Sequence, residues 1–121
     1  MTGFNKRAIG AIGEDIATQM LNEQGYIILE RNFRCRYGEI DVIARIGDTL
    51  VFVEVKTRRN KHCGTPEESV DYRKQSKLRL LAKYYMYINQ NYSQKIRFDV
   101  YAVRLDKTNM LESVQVLENC L

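Results

Sequence analysis

The sequence predicts a single α/β domain, a mixed sheet of about five strands flanked by helices in the order α-β-β-β-α-β-β. Three observations predict it. A helical apolar period runs through the first two dozen residues, and three strand-like segments follow in quick succession. A second helical segment then separates the third strand from the fourth, which is the kind of crossover a parallel strand pair needs. A chain of 121 residues fits one domain over 1–121 and buries enough surface to fold without a disulfide staple.

The first helix is expected from about Lys6 to Gln24, where Ile9, Ile12, Ile16 and Met20, with Ala17 and Leu21 beside them, recur at helical spacing. Gly25 is a natural stop just past its end. Gly10 and Gly13 lie inside the pattern and each costs of order 1 kcal/mol relative to alanine. Close approach of another backbone would explain them, as would a later helix start. Tyr26 to Arg36 is rich in β-formers, Glu39 to Ile46 follows a turn at Gly38, and Thr49 to Thr57 follows the hairpin turn Gly47-Asp48. Arg58 to Thr65 reads as a loop. Thr65-Pro66-Glu67-Glu68 then supplies a capping hydroxyl, a first-turn proline and acids that suit a helix dipole. That helix is expected to run to about Asn91 on an apolar stripe of Leu78, Leu81, Ala82, Tyr85 and Ile88. Two strands, Ile96 to Leu105 and Met110 to Glu118, close the chain around the turn Asp106-Lys107-Thr108-Asn109.

Composition removes several classes of function. No stretch approaches the roughly 18 apolar residues of a membrane helix, and the N-terminal segment lacks the apolar core of a signal peptide. A cytoplasmic protein is expected. Cys35, Cys63 and Cys120 are odd in number and widely spaced, and no C-x-x-C pair accompanies the single histidine, His62. Neither a disulfide framework nor a zinc site follows, and His62 and Cys63 read as loop residues. A serine or cysteine triad would rest on His62 alone, so catalysis should run through carboxylates and lysine.

Charge is uneven. The chain is net +4, but Lys56 to Lys83 alone is net +6 and the remainder is net −2. Such a gradient can steer a polyanion to one face. From this stretch Arg58, Arg59, Lys61, Arg73, Lys74 and Lys77 are the expected nucleic-acid contacts, although for the helical part a solvated helix face accounts for the charge equally well.

The chemistry concentrates in Val51-Phe52-Val53-Glu54-Val55-Lys56-Thr57. Alternation places the valines on one face and Phe52, Glu54 and Lys56 on the other, and apolar beginnings on both faces mark a central strand. A carboxylate and an ammonium on such a strand are costly unless paired or bound. If the hairpin turns at Gly47-Asp48, Asp41 lies opposite Glu54, with Cβ atoms about 4.5–5.5 Å apart. Two carboxylates so close repel, and a divalent cation between them removes the repulsion. An all-oxygen set of Asp41, Glu54 and the Val55 carbonyl suits Mg²⁺ or Mn²⁺. Lys56 could orient a water or stabilise charge on a phosphate. The competing reading is a buried ion pair of Lys56 with Asp41 or Glu54 that serves only the fold. Glu14, beside Gly13, could come close to the metal or stay exposed. Glu39 shares the face of Asp41, and Gln75 could point inward or to water.

These motifs resemble the YraN family of small bacterial proteins, which belongs to the PD-(D/E)XK nuclease superfamily and is similar to archaeal Holliday-junction resolvases. The resemblance spans nearly the whole chain. It is carried by Gly10-x-x-Gly13-Glu14, Gly25-Tyr26, Arg31-Asn32-Phe33-Arg34, Gly38-Glu39-Ile40-Asp41, Phe52-Val53-Glu54-Val55-Lys56-Thr57-Arg58, Gly64-x-Pro66-Glu67-Glu68 and Phe98-Asp99-Val100. It implies a restriction-endonuclease-like core and a metal-dependent endonuclease acting on DNA. It makes Asp41, Glu54 and Lys56 the nuclease signature, raises Glu14 to a fourth catalytic and metal-binding member, and implies a homodimer on two-fold substrates. Cys63 stands where the family commonly has an aromatic residue, a departure confined to a loop. A nucleic-acid-binding module that keeps the fold without cleaving is the alternative. A third reading is a structural protein that associates through a sheet edge or through Tyr84, Tyr85 and Tyr87.

Overall fold

The computed structural model describes residues 6–59, 72–90 and 95–119, apart from the side chains of Tyr72 and Arg73. Lys61, His62, Cys63 and the helix start at Thr65-Pro66 lie outside the described residues. The elements are α1 (Lys6–Glu23), β1 (Ile27–Cys35), β2 (Gly38–Ile46), β3 (Thr49–Arg58), α2 (Tyr72–Ile88), β4 (Lys95–Leu105) and β5 (Leu111–Leu117). This is the predicted order, with the strand and α1 boundaries moved by a residue and the end of α2 at Ile88 rather than about Asn91. The sheet runs β1-β2-β3-β4-β5 in sequence order. Only β3 and β4 are parallel, and α2 lies between them in the chain; the other neighbours are antiparallel. β3 is the central strand, as its two-sided apolar start required.

Each face of the sheet has its own core. On one, α1 contributes Ala17 and Leu21 to a cluster with Val42, Val51, Val53 and Tyr101. On the other, Leu78, Leu81, Ala82 and Tyr85 of α2 cover Ile43, Leu50, Phe52 and Phe98. The alternation along β3 therefore sorts its side chains between two helices.

The buried line of α1 is Gly13, Ala17 and Leu21, at i, i+4 and i+8. Ile9, Ile12, Ile16 and Met20, expected as the core stripe, flank it half-buried. The small residues explain the difference, because they let the helix settle deep on β3. A Cβ at Gly13 would lie 1.8 Å from Thr57 Oγ1, so the close approach is by the β3 side chain. Gly10 faces open space and meets no such neighbour. Helix α1 stops as expected. Gly25 has φ +91°, and Tyr26 N and Gly25 N donate to Leu21 O and Asn22 O, a Schellman cap. On α2, Ile88 leaves the predicted stripe and is 47% exposed.

Candidate active site

The β2–β3 hairpin sets the geometry. Pairs run from Ile46↔Thr49 to Val42↔Val53, the register expected from a turn at Gly47-Asp48. One more step would bring Asp41 level with Glu54, but the ladder ends there. Instead the Asp41 carboxylate takes a backbone partner, with Val55 N donating to Asp41 Oδ2 at 2.7 Å.

A switch of face in the outer strands accompanies this. Arg31↔Val42 and Phe33↔Ile40 are successive pairs of one register. Val42 nevertheless packs under α1, whereas Ile40 and Phe33 pack under α2. Asn32, between them, has φ +53°, a left-handed conformation that asparagine tolerates. Asp41 is thus the residue at which β2 changes face.

Glu54 and Lys56 share the α2 side. With Tyr37, Lys74, Lys77 and Leu78 they line an open hollow of about 470 Å³. Lys56 Nζ lies 3.7 Å from Glu54 Oε1, and Lys74 Nζ pairs with the same oxygen. Glu54 Oε2 is buried and has no hydrogen-bond partner. Burial holds Lys56 below the usual lysine range; Lys74 pushes the same way, against the attraction of Glu54.

Glu14 and Asp41 line a second hollow, of about 450 Å³, on the α1 side, together with Asn32, Arg34 and Glu39. Burial, together with the charges of Glu14 and Glu54, raises the Asp41 carboxyl to about 6 against the opposing Val55 N–H. Burial also raises Glu14, while Arg31, 3.9 Å away, works against it. The structure therefore brings all four signature residues to one end of β3, with Glu39 bordering both hollows and Asp41 tied to β3 through the Val55 N–H. Among the described residues, no three acidic, histidine or cysteine side chains converge into a ready-made metal cage. The donors nonetheless fit a hard cation: they are carboxylate oxygens, Asp41 binds its proton more tightly than usual, and one Glu54 oxygen is buried without a partner.

The basic residues divide. Lys74 and Lys77 border the Glu54 hollow. Arg58 folds back onto Thr57 O, and Arg59 donates to Lys107 O at 2.7 Å, so both guanidinium groups engage backbone. Lys61 and the Arg73 side chain are outside the described residues. Glu39 is largely exposed and pairs with Arg34 at 3.0 Å, and Gln75 is half-buried on α2. Of the tyrosines, Tyr85 packs edge-on against Phe33 and Phe52, Tyr84 meets Tyr37, and Tyr87 is exposed. They form no stacking platform.

Sequence reasoning gave no role to a second polar centre. Asp99 on β4 is buried and accepts from Arg97 Nε and Nη2 at 2.9–3.2 Å and from Asn119 N at 2.9 Å. Arg97 Nη2 also donates to the Tyr26 hydroxyl. The available signal was an acid between apolar neighbours, Phe98 and Val100, the same signal that marked Asp41.

No described helix is long and apolar enough to cross a membrane. The profile of Uncharacterised protein family UPF0102 matches residues 13–103, from the tight α1 contact to β4. A UPF0102 protein of Moorella thermoacetica is 47% identical over 115 residues, 95% of this chain and 96% of its own length. One from Dictyoglomus thermophilum is 43% identical over 116 residues, covering 96% and 98%. One from Rhodococcus opacus reaches 50% over 98 residues, covering 81% and 83%. Among solved structures, an fdxN element excision controlling factor protein from Anabaena variabilis matches 86% of this chain and 98% of its own, with a TM-score of 0.42 and 10% identity, a likeness that carries no functional information. With its profile matched over most of the chain and relatives similar along nearly all of it, this chain belongs to the UPF0102 family, the YraN family that its motifs resemble.

Proposed function

We propose that this protein is a metal-dependent nuclease that hydrolyses phosphodiester bonds of nucleic acid, with DNA as its substrate. The observation that carries the reading is the state of the two acids at the end of β3. Asp41 holds its proton up to about pH 6 and Glu54 keeps a buried oxygen without a partner, an arrangement costly for the fold and suited to a cation.

Asp41 and Glu54 would hold Mg²⁺ or Mn²⁺, with Glu14 and the Val55 carbonyl as further donors. A divalent ion there supplies an activated water and a polarised phosphoryl oxygen. The Val55 N–H fixes the Asp41 carboxylate, so one of its oxygens is oriented before anything binds. Lys56, beside Glu54 and half-buried, can donate to a water or to a phosphate oxygen as charge builds on it. Lys74 and Lys77 border the same hollow and offer positive charge to the flanking phosphates. Cytoplasmic residence and a homodimer belong to the same reading.

The test is cleavage of labelled duplex, single-stranded, flapped and four-way-junction DNA with Mg²⁺ or Mn²⁺, with EDTA as a control. Cutting should require metal and fall about a hundredfold or more in Asp41→Ala and Lys56→Ala. Cutting that survives both substitutions would sink the proposal. The Lys74–Glu54 pair favours a second reading, a binding module that no longer cleaves, because an ammonium already neutralises the key acid. That reading expects DNA binding that weakens steeply with salt and no cutting under any metal.

A further inference from the structure

Glu54 has an unusual set of neighbours. Its Oε1 faces two ammonium groups, Lys56 at 3.7 Å from its own strand and Lys74 from α2, while its buried Oε2 has no partner. Lys56 comes with the strand, because residues two apart on a strand share a face. Lys74 is independent of β3. It reaches Glu54 only because α2 packs its Leu78 and Leu81 onto Phe52 and Ile43. About a third of the Lys74 side chain is exposed, at the wall of an open hollow, so the ammonium can swing toward solvent without unpacking the helix.

We infer that Lys74 occupies the cation position at Glu54 in the metal-free protein and must leave it when a divalent ion binds. The inference rests on the metal site proposed above. A carboxylate oxygen that accepts an ammonium is not fully available to a metal, and two positive charges beside one carboxylate oppose a third. Lys56 only approaches the carboxylate, at 3.7 Å, and need not move. Lys74 gives way. Metal binding is therefore an exchange of one cation for another at Glu54, and the Lys74 ammonium lowers the affinity by the cost of breaking its own pair.

The experiment measures Mn²⁺ binding to the metal-free full-length chain by the paramagnetic signal of the free ion, without nucleic acid. Lys74→Met should bind Mn²⁺ about tenfold more tightly than wild type, the factor for one partly buried charge-assisted contact. Lys83→Met, which removes an exposed charge from the same helix, should change affinity less than twofold, and Glu54→Gln should weaken it strongly. A second readout needs no variant. Acetic anhydride labelling of Lys74 in wild-type protein, followed by mass spectrometry, should rise when Mn²⁺ is added. Equal or weaker binding by Lys74→Met, or unchanged labelling while Glu54→Gln abolishes binding, overturns the exchange and leaves the metal site standing. Absence of Mn²⁺ binding in both wild type and Lys74→Met overturns the metal site and the exchange with it.

Discussion

Asp99 and Glu54 lie on adjacent parallel strands, one register step apart, on opposite faces of the sheet. Their surroundings differ more than their burial. Asp99 is 1% exposed and both its oxygens are engaged, by the Arg97 fork and the Asn119 N–H. Glu54 is 15% exposed, with one oxygen crowded by two lysines and the other unpartnered. A saturated acid is a fold element: removing it orphans its partners. An under-satisfied acid is a reserve of affinity for something outside the chain. The difference separates an acid built into the fold from one left with an unpartnered oxygen, although both sit between apolar neighbours.

The largest effect that would test this contrast is at Asp99. Asp99→Ala strips the Arg97 guanidinium of its carboxylate, leaving it the Tyr26 hydroxyl, and orphans the Asn119 N–H, and should cost about 3–5 kcal/mol in urea unfolding. A loss under about 1 kcal/mol would show that the network is not structural.

Asp41 should behave in the opposite sense, and pH reveals the sign. Its carboxyl is raised from the ordinary 3.8 to about 6 in the folded protein. Between those values the folded form keeps a proton that the unfolded chain has released, so this group's contribution to stability declines as pH rises through that window. Asp41→Asn keeps an acceptor for the Val55 N–H and removes the titration. Its stability relative to wild type should therefore increase from about pH 4.5 to about pH 7.5, by up to about 2 kcal/mol. Unfolding curves that stay parallel across pH would contradict the burial-driven shift.

The smallest effect should be at Glu54 itself. Glu54→Gln gives up the attraction of two partly exposed lysines but relieves an unsatisfied carboxylate, and should change stability by less than about 1 kcal/mol. A loss comparable to that at Asp99 would turn Glu54 into a structural acid and remove the contrast.

The fold class was legible because its signals are local. Val51-Phe52-Val53 is apolar on both faces, which marks a central strand, and β3 is one. The Gly47-Asp48 turn sets the pairing of everything up to Val42↔Val53. The candidate site was legible as a set of residues that meet at one end of β3, but not in its wiring. Nothing in the local pattern says that the ladder stops at Val42, that Asn32 turns the outer strands over, or that the Val55 N–H takes Asp41. Charge spacing could not sort the basic residues either. Arg59, for one, docks on Lys107 O, 48 residues along the chain, a contact no local pattern announces.

By itself the sequence determined the order of elements, the hairpin register and the end of α1 at Gly25, because side-chain period, tight turns and left-handed glycines act over a few residues. The tertiary structure decided how each helix sits on the sheet. The contact of Gly13 with Thr57 seats α1 so that Glu14 comes beside Asp41, and the packing of Leu78 and Leu81 brings Lys74 to Glu54. Asp99 is a mixed case, with Arg97 two residues away on its own strand and only Asn119 brought from beyond β5 by the fold. The physical reason is common to these cases. A helix can rest on a sheet at several angles with the same apolar stripe, and which angle prevails depends on side chains far apart in sequence meeting at close range.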